Sequence, residues 1–169
     1  MKQTSNLPGE AKRPRILAVD YGRARIGLAL ADAEARLAQP LGTLERVNRN
    51  EDMRHLREII REHGVKQIVV GLPLRLDGTR GEMAEEAERF AQRVRKQIGV
   101  AVEMADERLT SWEAERLLEE MQGRFMHEET RTTGKNPKKK PGKMSVDAMA
   151  AAVILTEYLE RHRSTQENV

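Results

Sequence analysis

Three carboxylates in this chain stand where a side chain can do chemistry: Asp20, Glu107 and Asp147. Asp20 ends the apolar run Ile16-Leu17-Ala18-Val19 and precedes Tyr21-Gly22. A charge at the end of a buried strand is costly unless it has a partner or a task; capping its own turn is the structural alternative. Asp106 and Glu107 follow the apolar segment Val100 to Ala105 and precede Thr110-Ser111-Trp112-Glu113. That tetrad fits a capping box, in which Thr110 and Glu113 satisfy each other's backbone donors. The helix dipole favours acids there, but with the cap already supplied Glu107 is freer for other work. Asp147 opens a last helix, and Asp147, Ala151, Ile154 and Tyr158 recur at helical spacing, so this carboxylate shares a stripe with residues that pack inward.

Each acid has a local explanation, but their joint placement points further. In α/β sheets, ligand sites form where strand ends meet helix starts. Three carboxylates gathered there repel one another unless a cation neutralises them, and hard oxygen ligands suit Mg²⁺ or Mn²⁺. Two such ions about 3.5–4 Å apart can activate a water and stabilise the leaving oxygen of a phosphodiester. The chain has no cysteine, and its four histidines lack metal-ligand spacing.

The charge distribution suggests the substrate class. Six of the 30 basic residues (Arg131, Lys135, Lys138, Lys139, Lys140 and Lys143) fall within thirteen positions that hold no acid. Without them the net charge of +3 would be −3, so this segment supplies the whole positive balance. Such a block fits a polyanionic partner, or else a solvated loop. Aromatic residues make up only 3% of the chain, too few for a base-stacking platform. Arg23, Arg25 and Arg108 flank the acids and can either contact phosphate or pair with those acids.

The elements that position these residues follow from periodicity. Residues 1–14 read as a polar tail. Ile16–Val19 is a buried strand; Ile26, Leu28 and Leu30 alternating with small residues form a second, joined to it by a hairpin; Leu41–Leu44 is a weaker third. The period then changes. Met53, Leu56, Ile59 and Ile60 share a helical face behind the possible caps Asn48 and Asn50, Ile68-Val69-Val70 is a strand, and Met83, Ala87, Phe90, Val94 and Ile98 mark a second helix entered through Asp77-Gly78. Val100–Ala105 is a short strand, the helix from Thr110 continues through Leu117 and Met121, and 123–143 is a basic loop. Ser145 caps a final helix to about His162, followed by a polar tail, 163–169. At 169 residues this is a single α/β domain, 15–162, with a mixed sheet whose first three strands are antiparallel and whose later ones are parallel. No secretory h-region and no apolar run near the ~20 residues of a membrane span occur, so a soluble, cytoplasmic protein without membrane contact is expected.

Four blocks carry a family resemblance: Asp20-Tyr-Gly-Arg-Ala-Arg-Ile-Gly27, Val70-Gly-Leu-Pro73, Asp106-Glu-Arg-Leu-Thr-Ser111 and Val146-Asp-Ala-Met-Ala-Ala-Ala-Val-Ile-Leu155. In this order, over about Ile16 to Leu159, they resemble the bacterial Holliday-junction-resolvase-like (YqgF/RuvX) family, whose members are commonly named as nucleases of pre-16S ribosomal RNA. The resemblance implies an RNase H-like fold, a mixed five-stranded sheet with helices on both faces, and hydrolysis of phosphodiester bonds dependent on Mg²⁺ or Mn²⁺. It places Asp20, Glu107 and Asp147 as metal-binding catalytic acids, with Asp106 as the fallback ligand. Arg23, Arg25, Arg108, Lys135, Lys138, Lys139, Lys140 and Lys143 become candidate nucleic-acid contacts. The implied partner is structured nucleic acid, above all precursor ribosomal RNA, with a DNA junction and the ribosomal subunit as further partners; the protein would be a monomer or a homodimer.

This chain departs from true junction resolvases at Gly71, where those enzymes carry a glutamate, so its second acid must come from the end of the following strand. That makes RNA processing the leading expectation and junction resolution the alternative. A kinase-like ATPase shares the Asp-x-Gly phosphate loop but usually needs two such domains. A non-catalytic RNA-binding assembly factor would use the lysines and leave the acids idle.

Overall fold

The computed structural model describes residues 14–107, 116, 119, 120, 123 and 145–167. Alternation and helical periodicity produce the expected succession: β1 (Arg15–Tyr21), β2 (Arg25–Asp32), β3 (Gln39–Glu45), α1 (Arg49–His63), β4 (Val65–Leu72), α2 (Glu82–Ile98), β5 (Ala101–Asp106) and α3 (Val146–Glu167). The five strands form one sheet in the order β3-β2-β1-β4-β5. β1–β2 and β2–β3 pair antiparallel, and β1–β4 and β4–β5 pair parallel. The hairpin, the mixed character and the strand sequence all agree with the reading of the chain.

Strand alternation divides the core into two layers. Leu17 and Val19 of β1, Ile26 and Leu28 of β2, and Ile68 and Val70 of β4 face α1 and α2, where Met53, Leu56, Phe90 and Val94 close the layer. Ile16 and Ala18, Ala29 and Ala31, and Val69 face α3, whose Ala151, Ala152, Leu155 and Tyr158 pack on them. β2 presents only small residues to α3, and α3 answers with fully buried alanines at 148, 151 and 152. Small residues on both sides permit close contact between helix and sheet. Asp20 keeps step with Ile16 and Ala18, so it belongs to the α3 layer.

The caps account for the helix starts. The Asn48 side chain accepts from the backbone N–H groups of Asn50 and Glu51, both at 3.0 Å, and Ser145 Oγ accepts from Ala148 N at 3.1 Å. The entry to α2 is as expected, whereas the end of α3 is not. α2 begins at Glu82, after Gly81 and beyond the Asp77-Gly78 turn, because Asp77 closes that turn on itself by accepting from Thr79 N and Oγ1. α3 runs past His162 to Glu167, where the Ser164 and Thr165 hydroxyls donate to Glu160 O and Arg161 O, polar residues that apolar periodicity does not register. Among the described residues no helix is long and apolar enough to cross a membrane.

Candidate metal centre

The site lies at the C-terminal ends of β1 and β5, beneath the N-terminus of α3. Across the sheet, Thr43 of β3 stands opposite Gly27 of β2, and Gly27 opposite Asp20 of β1; one step past the Val19–Val70 pair comes Gly71 of β4, opposite Ala105 of β5. This row forms a floor beside which the three acids are arrayed. Thr43 Oγ1 hydrogen-bonds Ser145 Oγ, so the floor and the α3 cap are joined directly.

Two glycines in the row allow the approach. A Cβ at Gly27 would lie 2.0 Å from the backbone oxygen of Asp147, so the first turn of α3 rests on bare backbone there. A Cβ at Gly71 would lie 2.1 Å from Glu107 Oε1 and 2.8 Å from Ile154 Cδ1. Glu107 therefore occupies the space that a side chain on β4 would otherwise fill. β5 extends through Asp106, one residue further than expected, and alternation sets Asp106 in step with Val102 and Met104; Glu107 follows just past the strand end.

The electrostatics mark a crowded acidic centre. Burial first, and then the Asp147 carboxylate, push Asp20 up from its ordinary 3.8 to about 6. Burial, followed by repulsion from Asp20 and Asp106, likewise takes Glu107 from 4.5 to about 7. Asp147 has instead a cation: Arg25 Nε lies 3.1 Å from its Oδ2. Arg23 turns away to α2, 2.8 Å from Glu86 and 3.2 Å from Glu82. Both arginines thus form ion pairs, but only Arg25 pairs with an acid of the site.

Among the described residues, no three His, Cys, Asp or Glu side chains converge closely enough to hold a metal ion in this arrangement. The donor set nonetheless fits a hard divalent cation. It is all oxygen, and two of its carboxyls are held above their ordinary range by burial and like charge that a cation would relieve.

Sequence reasoning did not foresee the clamp behind this site. Arg46 on β3's outgoing end donates to Asp52 Oδ2 of α1 (2.9 Å), to Tyr21 Oη (2.8 Å) and to Gly22 O (3.1 Å), and its guanidinium lies 4.8 Å over the Tyr21 ring. It ties the turn that follows Asp20 to α1. Asp52 is 1% exposed, and a buried acid on a helix face was the signal available in the sequence. Arg108, Lys135, Lys138, Lys139, Lys140, Lys143, the capping box at Thr110 and residues 124–143 of the basic loop lie outside the described residues; Gly123, expected to open that loop, is helical.

The family model described as RuvX, Holliday junction resolvase, matches residues 14–161. A protein of Chloroflexus aurantiacus, provisionally named a pre-16S rRNA nuclease, is 40% identical over 149 residues, covering 88% of each chain. One of Anaeromyxobacter sp. (strain K) with the same provisional name is 44% identical over 147 residues, covering 87% of this chain and 97% of its own. The Thermus thermophilus RuvC structure superposes with a TM-score of 0.53 at 13% identity, over 89% of this chain and 97% of that one. At that identity the likeness establishes the fold, the RNase H-like sheet.

Proposed function

The chain belongs to the RuvX family, and from that premise we propose that it is a divalent-metal-dependent endonuclease that cuts structured RNA, the precursor of 16S ribosomal RNA being its substrate. The observation that carries this reading is the crowding of three acids: Asp20 feels the charges of both Asp147 and Glu107, with Glu107 seated against Gly71 and the backbone of Asp147 against Gly27. Asp20, Glu107 and Asp147 hold Mg²⁺ or Mn²⁺, with Asp106 tuning Glu107 by its charge. When bound, the metal supplies Lewis acidity and an activated water at the scissile phosphate.

The remaining work falls to the chain's own groups. Glu107, pushed up to about 7, must give up its proton before it can serve as a ligand, so metal binding strengthens as pH rises through neutrality. The Thr43–Ser145 hydrogen bond and the bare backbone of Gly27 fix the height of Asp147 above the floor. Arg108 and the lysines between 135 and 143 neutralise phosphates along the substrate and orient it.

Incubation of the protein with a precursor 16S rRNA fragment and with a synthetic four-way DNA junction, in Mn²⁺, tests this reading. Cleavage of the RNA is expected, lost on Asp20→Asn and on Glu107→Gln. Inactivity with both Mg²⁺ and Mn²⁺, or an Asp20→Asn protein that cuts as well as the wild type, overturns it. Preference for the junction would favour resolution of DNA, the activity in the family's description.

A further inference from the structure

Arg25 differs from the other arginine of its turn in what it holds. Arg23 is gripped by two carboxylates of α2. Arg25 engages Asp147 through Nε at 3.1 Å, while its side chain remains 58% exposed. It begins β2 and keeps step with Gly27, the residue opposite Asp20, so it lies at the solvent lip of the row that carries the acids. An ion pair this exposed is weak, worth at most ~1 kcal/mol, and is readily exchanged. A guanidinium also suits a phosphate at least as well as a carboxylate, because its donors match two oxygens at once.

We propose that Arg25 is the resident counter-cation of this centre: it neutralises Asp147 while no metal is bound, and transfers to a phosphate oxygen of the nucleic acid when a divalent ion takes Asp147. This rests on the reading that metal and nucleic acid meet at this site. Its consequence is a coupling between the two ligands. The metal competes with Arg25 for Asp147, and phosphate competes with Asp147 for Arg25, so each ligand removes the other's competitor. By reciprocity, nucleic acid tightens metal binding by the same factor that metal tightens nucleic acid binding. Arg25 is a positioning residue here: without substrate it restrains the centre, and with substrate it helps to complete it.

Titration calorimetry with Mn²⁺ on the full chain, alone and with a phosphorothioate hairpin RNA that resists cleavage, reads this directly. Without RNA, Arg25→Gln should bind Mn²⁺ about fivefold more tightly than the wild type, the factor that corresponds to ~1 kcal/mol. Arg23→Gln, which removes a charge two residues away, should leave Mn²⁺ affinity unchanged, and Arg25→Lys, which keeps the charge, should stay near the wild type. With RNA, the wild type should gain Mn²⁺ affinity and Arg25→Gln should gain less. If Arg25→Gln binds Mn²⁺ no more tightly than the wild type while Asp20→Asn still abolishes binding, the exchange is refuted and the metal centre stands. If the wild type itself binds no Mn²⁺, both fail.

Discussion

Neutralising Asp20 should stabilise the metal-free protein at neutral pH, and the amount can be worked from its surroundings. Burial and Asp147 lift Asp20 from 3.8 to about 6, while burial, Asp20 and Asp106 lift Glu107 from 4.5 to about 7. Between those limits the folded chain binds more protons than the unfolded one. Stability from these groups is therefore fully present below their unfolded values, declines as pH rises through roughly 4 to 7, and is level above that. A full pKa unit is worth about 1.4 kcal/mol. Partial exposure screens both groups, and part of the Glu107 shift is repulsion from Asp20. Asp20→Asn should therefore stabilise the protein by about 2 kcal/mol at pH 8 in EDTA, which raises Tm by roughly 4–8 °C for a chain of this size. At pH 4 the difference should nearly vanish. Saturating Mn²⁺ reverses the order: at a hundredfold excess over Kd it adds ~2.7 kcal/mol to the wild type and little to the variant. Thermal melts at pH 4 and pH 8, with EDTA and with Mn²⁺, check all of this. An Asp20→Asn protein no more stable than wild type at pH 8 in EDTA, or equally stabilised at both pH values, would refute the electrostatic account of the centre.

Other substitutions probe how the site is assembled. Gly71→Ala sets a methyl 2.1 Å from Glu107 Oε1, the movable end of a side chain, so Mn²⁺-dependent cleavage should fall more than tenfold while urea denaturation shows a loss of only about 1–3 kcal/mol. Gly27→Ala meets backbone instead, 2.0 Å from Asp147 O, and α3 must shift as a body; the urea midpoint should drop by the equivalent of about 3 kcal/mol or more, with cleavage lost as well. Arg46→Ala leaves Asp52 buried without its cation, a cost of about 3–5 kcal/mol that should appear as a large fall in Tm, whereas the double change Arg46→Met with Asp52→Leu should recover much of it.

What the sequence determined by itself was everything governed by local period and local capping. The apolar run of β1 ended at Asp20; Asp147 shared a helical stripe with Ala151, Ile154 and Tyr158; Asn48 and Ser145 marked helix starts that the structure keeps. These features depend on neighbours a few residues away, and their pattern survives in one dimension. The tertiary structure decided the rest. Only the β4–β5 pairing carries Glu107 over Gly71, only the seating of α3 on Gly27 gives Asp147 its height, and only the path of the β1–β2 turn separates Arg25, facing the acids, from Arg23, facing α2. Arg46 and Asp52 are six residues apart, yet their pairing depends on where Tyr21 and Gly22 sit. Such contacts are set by which strands become neighbours. Closing long stretches of chain gives no local signature, so the acids were legible singly and their arrangement was not.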